Sequence, residues 1–272
     1  MAYRAKKKRR FPDWIVYGLA LAIFIWTAYG VEEDVIIPEP PTSPELGPLL
    51  PSESPLDEII LVDAAPAQSG TGTAFAINEE GLWLTARHVV DSCETVGLRV
   101  GLGRFIPVEY QVIQNSDLAV LQSKWTRRAL PADLDSARQI GEIGYFFGYP
   151  QGEPGEVVGS LIARNRMKVR GRYTNDEAIL AWSELGRSRG LFGSLGGMSG
   201  APVLDKDGEI IGVVSAEAPR RGRIYSVAPR YLRGIITEPG DGVEPLSLET
   251  YGQSADRLRR DRRVAKVICL VD

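Results

Sequence analysis

Between residues 56 and 236 the apolar positions fall in short runs separated by glycine-bearing turns, and few stretches keep a 3.6-residue period. Runs at 73–77 and 82–85 flank Asn78-Glu79-Glu80-Gly81, and runs at 96–100 and 105–112 flank Gly101-Leu102-Gly103. Others at 202–204 and 210–215 flank Asp205-Lys206-Asp207-Gly208. Strand, turn and strand at such intervals predict an all-β sandwich or barrel. Outside this region the pattern changes three times. Residues 14–31 form one uncharged apolar run, residues 38–55 carry seven prolines, and residues 254–266 are strongly basic. The first is a candidate membrane helix and the second an extended linker that cannot pack a core. The third predicts a short helix capped near Ser254, followed by a strand at 264–271.

Charge gives the apolar run a direction. Arg4, Lys6, Lys7, Lys8, Arg9 and Arg10 precede it, and Glu32, Glu33 and Asp34 follow it. A helix of that length rises about 27 Å, close to the thickness of a bilayer core. Basic before and acidic after places the N-terminus in the cytoplasm and the remainder outside. A retained inner-membrane anchor is expected, with Trp14, Trp26 and Tyr29 at its ends; a signal peptide cleaved near Ala28-Tyr29-Gly30 is the alternative. Both export the chain. The net charge of -3 over 272 residues gives no general attraction to nucleic acid, and none is expected as a partner. Cys93 and Cys269 are the only cysteines. In an oxidising compartment they are a candidate disulfide closing a loop of about 175 residues, worth roughly 4 to 5 kcal/mol by chain entropy; two buried free thiols are the alternative.

Three segments carry chemistry. His88, the single histidine, lies in Leu84-Thr85-Ala86-Arg87-His88-Val89-Val90, where a strand runs into a helical turn. Asp117 stands before the apolar strand Leu118-Ala119-Val120-Leu121, and Ser199 lies in the tight loop Gly196-Gly197-Met198-Ser199-Gly200-Ala201-Pro202. Hydrolysis by a hydroxyl needs a nucleophile, a base, a group that orients the base and donors for the oxyanion. Together with Gly70-Thr71-Gly72-Thr73-Ala74-Phe75 these segments resemble the trypsin-like serine proteases, most closely the HtrA/Deg-like branch, over residues 60 to 236. The order His, Asp, Ser separates that family from α/β-hydrolases and subtilisins.

The resemblance implies two six-stranded antiparallel β-barrels, at 56–140 and 141–239, behind a cytoplasmic segment at 1–13, the anchor at 14–31 and a linker at 32–55, with a C-terminal extension at 240–272. It implies His88, Asp117 and Ser199 as the catalytic triad, and the N–H groups of Gly197 and Ser199 as the oxyanion hole. Substrate would add as a β-strand along Ser215, Ala216 and Glu217. Gly193 would lie at the floor of the P1 pocket, where the lack of an acid favours a small or apolar residue over Arg or Lys. No cofactor and no metal are implied. Met198 stands where zymogen-type enzymes carry aspartate, which argues against activation by a newly cut N-terminus. About 33 residues follow Pro239, too few for a PDZ module. The segment at 185–195 is flexible in composition and is expected to be able to hold the oxyanion loop in an inactive shape.

The expected function is a serine endopeptidase acting on exported or envelope proteins through an acyl-enzyme; the alternative is a catalytically silent protease-like module that binds a partner. Arg164, Arg166, Lys168, Arg170 and Arg172 alternate along one strand face, where they would blunt a sheet edge or meet anionic lipid, an acidic polymer or an acidic partner.

Overall fold

A computed structural model describes residues 46–101, 104–238 and 240–271. The expected anchor at 14–31 and the first part of the linker lie outside them. Among the described residues no helix is long and apolar enough to cross a membrane.

The described chain is dominated by strands. After β1 (Ile59–Ala64) come β2 (Gly70–Ala76), β3 (Leu82–Ala86), a single helical turn α1 (Arg87–Val90), β4 (Thr95–Gly101), β5 (Arg104–Pro107), β6 (Glu109–Val112) and β7 (Leu118–Gln122). A second set follows: β8 (Ile143–Gly148), β9 (Gly155–Gly171), β10 (Asn175–Arg187), β11 (Pro202–Leu204), β12 (Ile210–Ala218) and β13 (Arg223–Val227). The chain then forms helix α2 (Tyr251–Arg260) and strand β14 (Val264–Leu270).

The second lobe runs β8-β9-β10-β13-β12-β11 and returns to β8, giving a closed barrel of six strands as expected. Strand β1 adds to it in parallel, from Ile59 opposite Arg166 to Ala64 opposite Gly171. The first lobe is a seven-stranded sheet in the order β5-β4-β14-β2-β3-β7-β6. Two boundaries therefore move. Strand β1, expected in the first barrel, belongs to the second lobe. The segment at 240–272 is no mere extension, because β14 pairs with β2 on one side and β4 on the other. Its near-continuous burial explains the placement: Val264, Ala265, Val267 and Cys269 are buried, as suits a strand flanked on both sides.

Each lobe has its own core, around Trp83, Leu98, Leu121 and Val267 in the first and Phe146, Leu180 and Trp182 in the second. A third apolar cluster joins them, where Phe75, Leu84 and Leu118 meet Phe147, Leu204 and Val213, with Ala255 and Leu258 of α2 packed on. This fixes the two lobes face to face along the line where the site lies.

The basic row on β9 points outward, but the strand is not an edge where the row lies, since β1 and β10 flank it. Arg166 and Lys168 reach Asp176, Arg170 reaches Asp63 and Arg172 reaches Asp91. Four of the five cations thus have a carboxylate partner, Asp176 and Asp63 on neighbouring strands and Asp91 just after α1, while Arg164 donates to the Pro51 carbonyl. Helix α2 begins three residues before the expected cap; Ser254 lies inside it, buried, with its hydroxyl unpaired.

Candidate active site

The site is built where the end of β3, the start of β7 and the end of β12 converge. His88 sits on α1, directly after β3, and its backbone N–H donates to Asp117 Oδ1 at 3.1 Å. Its Nδ1 lies 2.8 Å from Asp117 Oδ2, a pairing that selects the tautomer with the proton on Nδ1. Nε2 then carries the lone pair, and it has no hydrogen-bond partner among the described residues.

Asp117 is 1% exposed and collects donors from both lobes. Tyr173 Oη donates to Oδ1 at 2.8 Å and Ser215 Oγ to Oδ2. Burial alone would raise its pKa, but His88 and these hydroxyls outweigh it and hold the carboxyl below its usual range. Burial likewise pulls the imidazole of His88 down, with Arg172 in the same direction. The charge and hydrogen bond of Asp117 prevail, so the His88 pKa is raised. The side chain keeps 31% exposure, which limits what dehydration can take away.

Behind Asp117 stands a second carboxylate, Glu177 on β10, 1% exposed. Its Oε1 accepts the backbone N–H of Asp117 at 2.8 Å and its Oε2 accepts the Ser116 hydroxyl at 2.7 Å. Asn175 donates to Oε1 at 2.5 Å. Burial first, and then the charge of Asp117, push its pKa up to about 7. Arg172 Nη2 donates to the His88 carbonyl at 3.2 Å. Hairpin β9–β10 thus reaches across the lobes to fix both the base and the acid. Neither Tyr173 nor Glu177 belongs to a sequence motif, and Arg172 was singled out only as the end of the basic row; the one signal for Glu177 is an acid at an inward-facing strand position, alternating with Ile179 and Ala181.

Ser199 is placed through its backbone. Its carbonyl accepts the Thr73 N–H at 2.8 Å, and Gly200 N–H donates to Val214 O at 2.8 Å. Gly200 has φ +83°, and a Cβ there would meet Thr73 O at 2.2 Å and Thr85 Oγ1 at 2.3 Å, so glycine is required for the loop to press against β2 and β3. Ser199 Oγ makes no hydrogen bond to His88. The Asp117–His88 half of a relay is formed and the His88–Ser199 half is not, which is common in unliganded sites.

The loop before Ser199 is held in shape. The Gly196 carbonyl accepts Gln151 N–H at 2.5 Å. In a trans peptide the next N–H points the opposite way, so that of Gly197 faces away from Gln151, and it has no acceptor among the described residues. Gln151 Nε2 donates to the carbonyls of Phe192 and Ser194 at 2.6 and 2.9 Å. Glu217 takes Leu195 N–H at 2.8 Å and the Ser194 hydroxyl, and Arg187 donates to Gly193 O at 2.9 Å. The segment expected to be flexible is therefore tied down by three side chains. Ser215, expected along the substrate strand, serves Asp117; Ala216 and Glu217 pair with β13 on one side of β12, where β11 extends along the other only as far as Val213. A cavity of about 280 Å³ opens beside His88, lined by Asp63 and Ala64 at the end of β1, by Pro66 beyond it, and by Met167 and Val169 of β9.

Cys93 and Cys269 are joined as a disulfide, tying the turn after α1 to β14. Among the described residues one acidic cluster, Asp133, Asp205 and Glu209, has the spacing for a metal. Arg138 already occupies it, bonded to Asp133 and 3.9 Å from Asp205.

The family model for the trypsin-like peptidase domain matches residues 72–213. The serine protease HTRA2, mitochondrial, of Drosophila grimshawi is 29% identical over 162 residues, covering 55% of this chain and 35% of that protein. The uncharacterized protein y4bJ of Sinorhizobium fredii is 28% identical over 158 residues, covering 57% and 24%. The chain thus spans about a quarter to a third of the length of these curated relatives. In fold it is similar to the active form of the Rv3671c protease from M. tuberculosis, with TM-score 0.51, 18% identity, and 65% of this chain and 76% of that one covered. With its matched segment running from the strand before His88 to the strand beyond Ser199, the chain belongs to the trypsin-like peptidase family.

Proposed function

We propose that the chain is a serine endopeptidase in which Ser199 attacks the scissile carbonyl while His88 Nε2 takes its proton. The observation that carries this is the 2.8 Å contact between His88 Nδ1 and a buried, ionised Asp117. That carboxylate holds the ring in one tautomer and stabilises the imidazolium formed as the proton moves. The tetrahedral oxyanion is received by the N–H groups of Gly197 and Ser199, and the proton then passes from His88 to the leaving amine. Water, activated by the same imidazole, hydrolyses the acyl-enzyme.

Substrate adds as a strand along the open edge at Ala216 and Glu217. The lack of an acid at Gly193 favours a small or apolar P1 side chain, and the nearby Glu217 carboxylate is engaged by Leu195 N–H. The basic-apolar-acidic order of the first 34 residues and the disulfide support a location outside the cytoplasmic membrane, anchored through residues 14–31, with exported proteins as substrates.

The test is labelling by a fluorophosphonate probe. Wild type is expected to react stoichiometrically, and Ser199→Ala to lose all labelling with an unchanged circular dichroism spectrum. No labelling of folded wild type under any condition would support the silent binding module instead.

A further inference from the structure

Away from the cleft, a second cavity of about 360 Å³ lies between β4, β14 and the turn after β8. Arg99, Arg259, Arg262 and Lys266 line it, against one carboxylate, Glu153. Arg259 is neutralised by Glu156 and Asp256. Among the described residues Arg99, Arg262 and Lys266 have no carboxylate within 4.0 Å. Lys266 is only 9% exposed, and a buried ammonium without a counter-charge is costly.

Arg262 adds an independent observation. It follows the C-cap of α2, where its N–H donates to Arg259 O and the next N–H, of Arg263, donates to Leu258 O. This is the helix-ending motif whose left-handed residue is normally glycine. Here that residue has φ 59° and is an arginine, placed at the rim of an already basic cavity. Its charge also lowers the pKa of the neighbouring Arg127, after burial.

We infer that this cavity binds a small multivalent oxyanion, phosphoryl or carboxyl, held by Arg99, Arg262 and Lys266, and that the bound anion stabilises the oxyanion loop at Ser199. Guanidinium groups grip such oxygens in pairs and an ammonium adds a point charge. The link to the site is short. Lys266 Nζ donates to Gly152 O at 2.5 Å, and the adjoining Gln151 N–H holds the Gly196 carbonyl. An anion that relieves the repulsion among the three cations keeps Lys266, the turn and the Gly196–Gly197 peptide in place. This coupling rests on the serine-endopeptidase reading; the binding does not.

Binding is tested by titration calorimetry of the full chain in detergent, with inorganic triphosphate and with citrate, in a buffer free of both. Saturable binding to wild type is expected, weakened at least tenfold by the double variant Arg99→Gln, Arg262→Asn, whose positions are exposed and whose asparagine suits the left-handed turn. Which of the two probes binds more tightly identifies the phosphoryl or the carboxyl source. Binding unchanged in the double variant, or heats reproduced by sodium chloride at equal ionic strength, would overturn the site. For the coupling, the fluorophosphonate reaction at Ser199 is expected to quicken severalfold with saturating anion in wild type and not in the double variant. An unchanged rate despite binding overturns the coupling, whereas binding with no labelling under any condition overturns the protease reading and leaves the site standing.

Discussion

His88 is held between two opposing charges, Asp117 on its Nδ1 side and Arg172 behind its backbone, and Asp117 prevails. A base works only when unprotonated, so kcat/KM is expected to fall on the acid side with an apparent pKa above the ordinary 6.5. Asp117→Asn removes that bias and favours the wrong tautomer; kcat should drop on the order of 10⁴-fold. Glu177 leaves a different signature. Its pKa is near 7 in the folded protein and 4.5 when unfolded, so the fold binds the extra proton. The stability this confers is complete below about pH 4.5 and is lost as pH rises through 7, on the order of 3 kcal/mol. In urea unfolding at pH 4.5 and 7.5, Glu177→Gln should lose that part of the wild-type slope; an identical slope in both proteins would refute it. The pairing of His88 with Asp117 was legible because each sits in a compact local motif. Tyr173 and Glu177 were not, because their role depends on a hairpin from the other lobe landing on Asp117, which no local pattern encodes.

At the scale of elements, alternating apolar positions made the strands legible, and the glycine turns marked where they reverse. Partnership was harder. The cations of β9 look like an edge device in sequence, yet their carboxylate partners, Asp63, Asp91 and Asp176, are scattered over three other segments. The strand at 264–271 was foreseen with Cys269 near Cys93, but its central place between β2 and β4 was not, because pairing over almost 200 residues leaves no mark nearby. The disulfide spans 176 residues. Cys269→Ser, in which no cross-link can form, is expected to lose about 4 to 5 kcal/mol of stability by chain entropy. Urea unfolding of wild type with and without a reductant checks this: reduction should bring wild type to the midpoint of the variant and leave the variant unmoved.

At the scale of the whole molecule, two sheets share one apolar cluster, and each completes the other's chemistry. Asp117 and His88 stand on the first lobe, while the Ser199 loop, the hairpin that grips Asp117 and the turn that holds the Gly196–Gly197 peptide come from the second. An all-β fold was legible from texture and a two-lobed one from the resemblance, the second lobe closing as a six-stranded barrel and the first forming a seven-stranded sheet rather than six strands, but the crossings between the lobes were not. The placement of β14 has a consequence in time. A ribosome finishes the nucleophile loop about 65 residues before it reaches the strand that fills the middle of the first sheet, and domains otherwise tend to fold as they emerge. Here the lobe bearing His88 and Asp117 stays incomplete while the Ser199 loop is already made, so the two halves of the site cannot come together before β14 has left the ribosome.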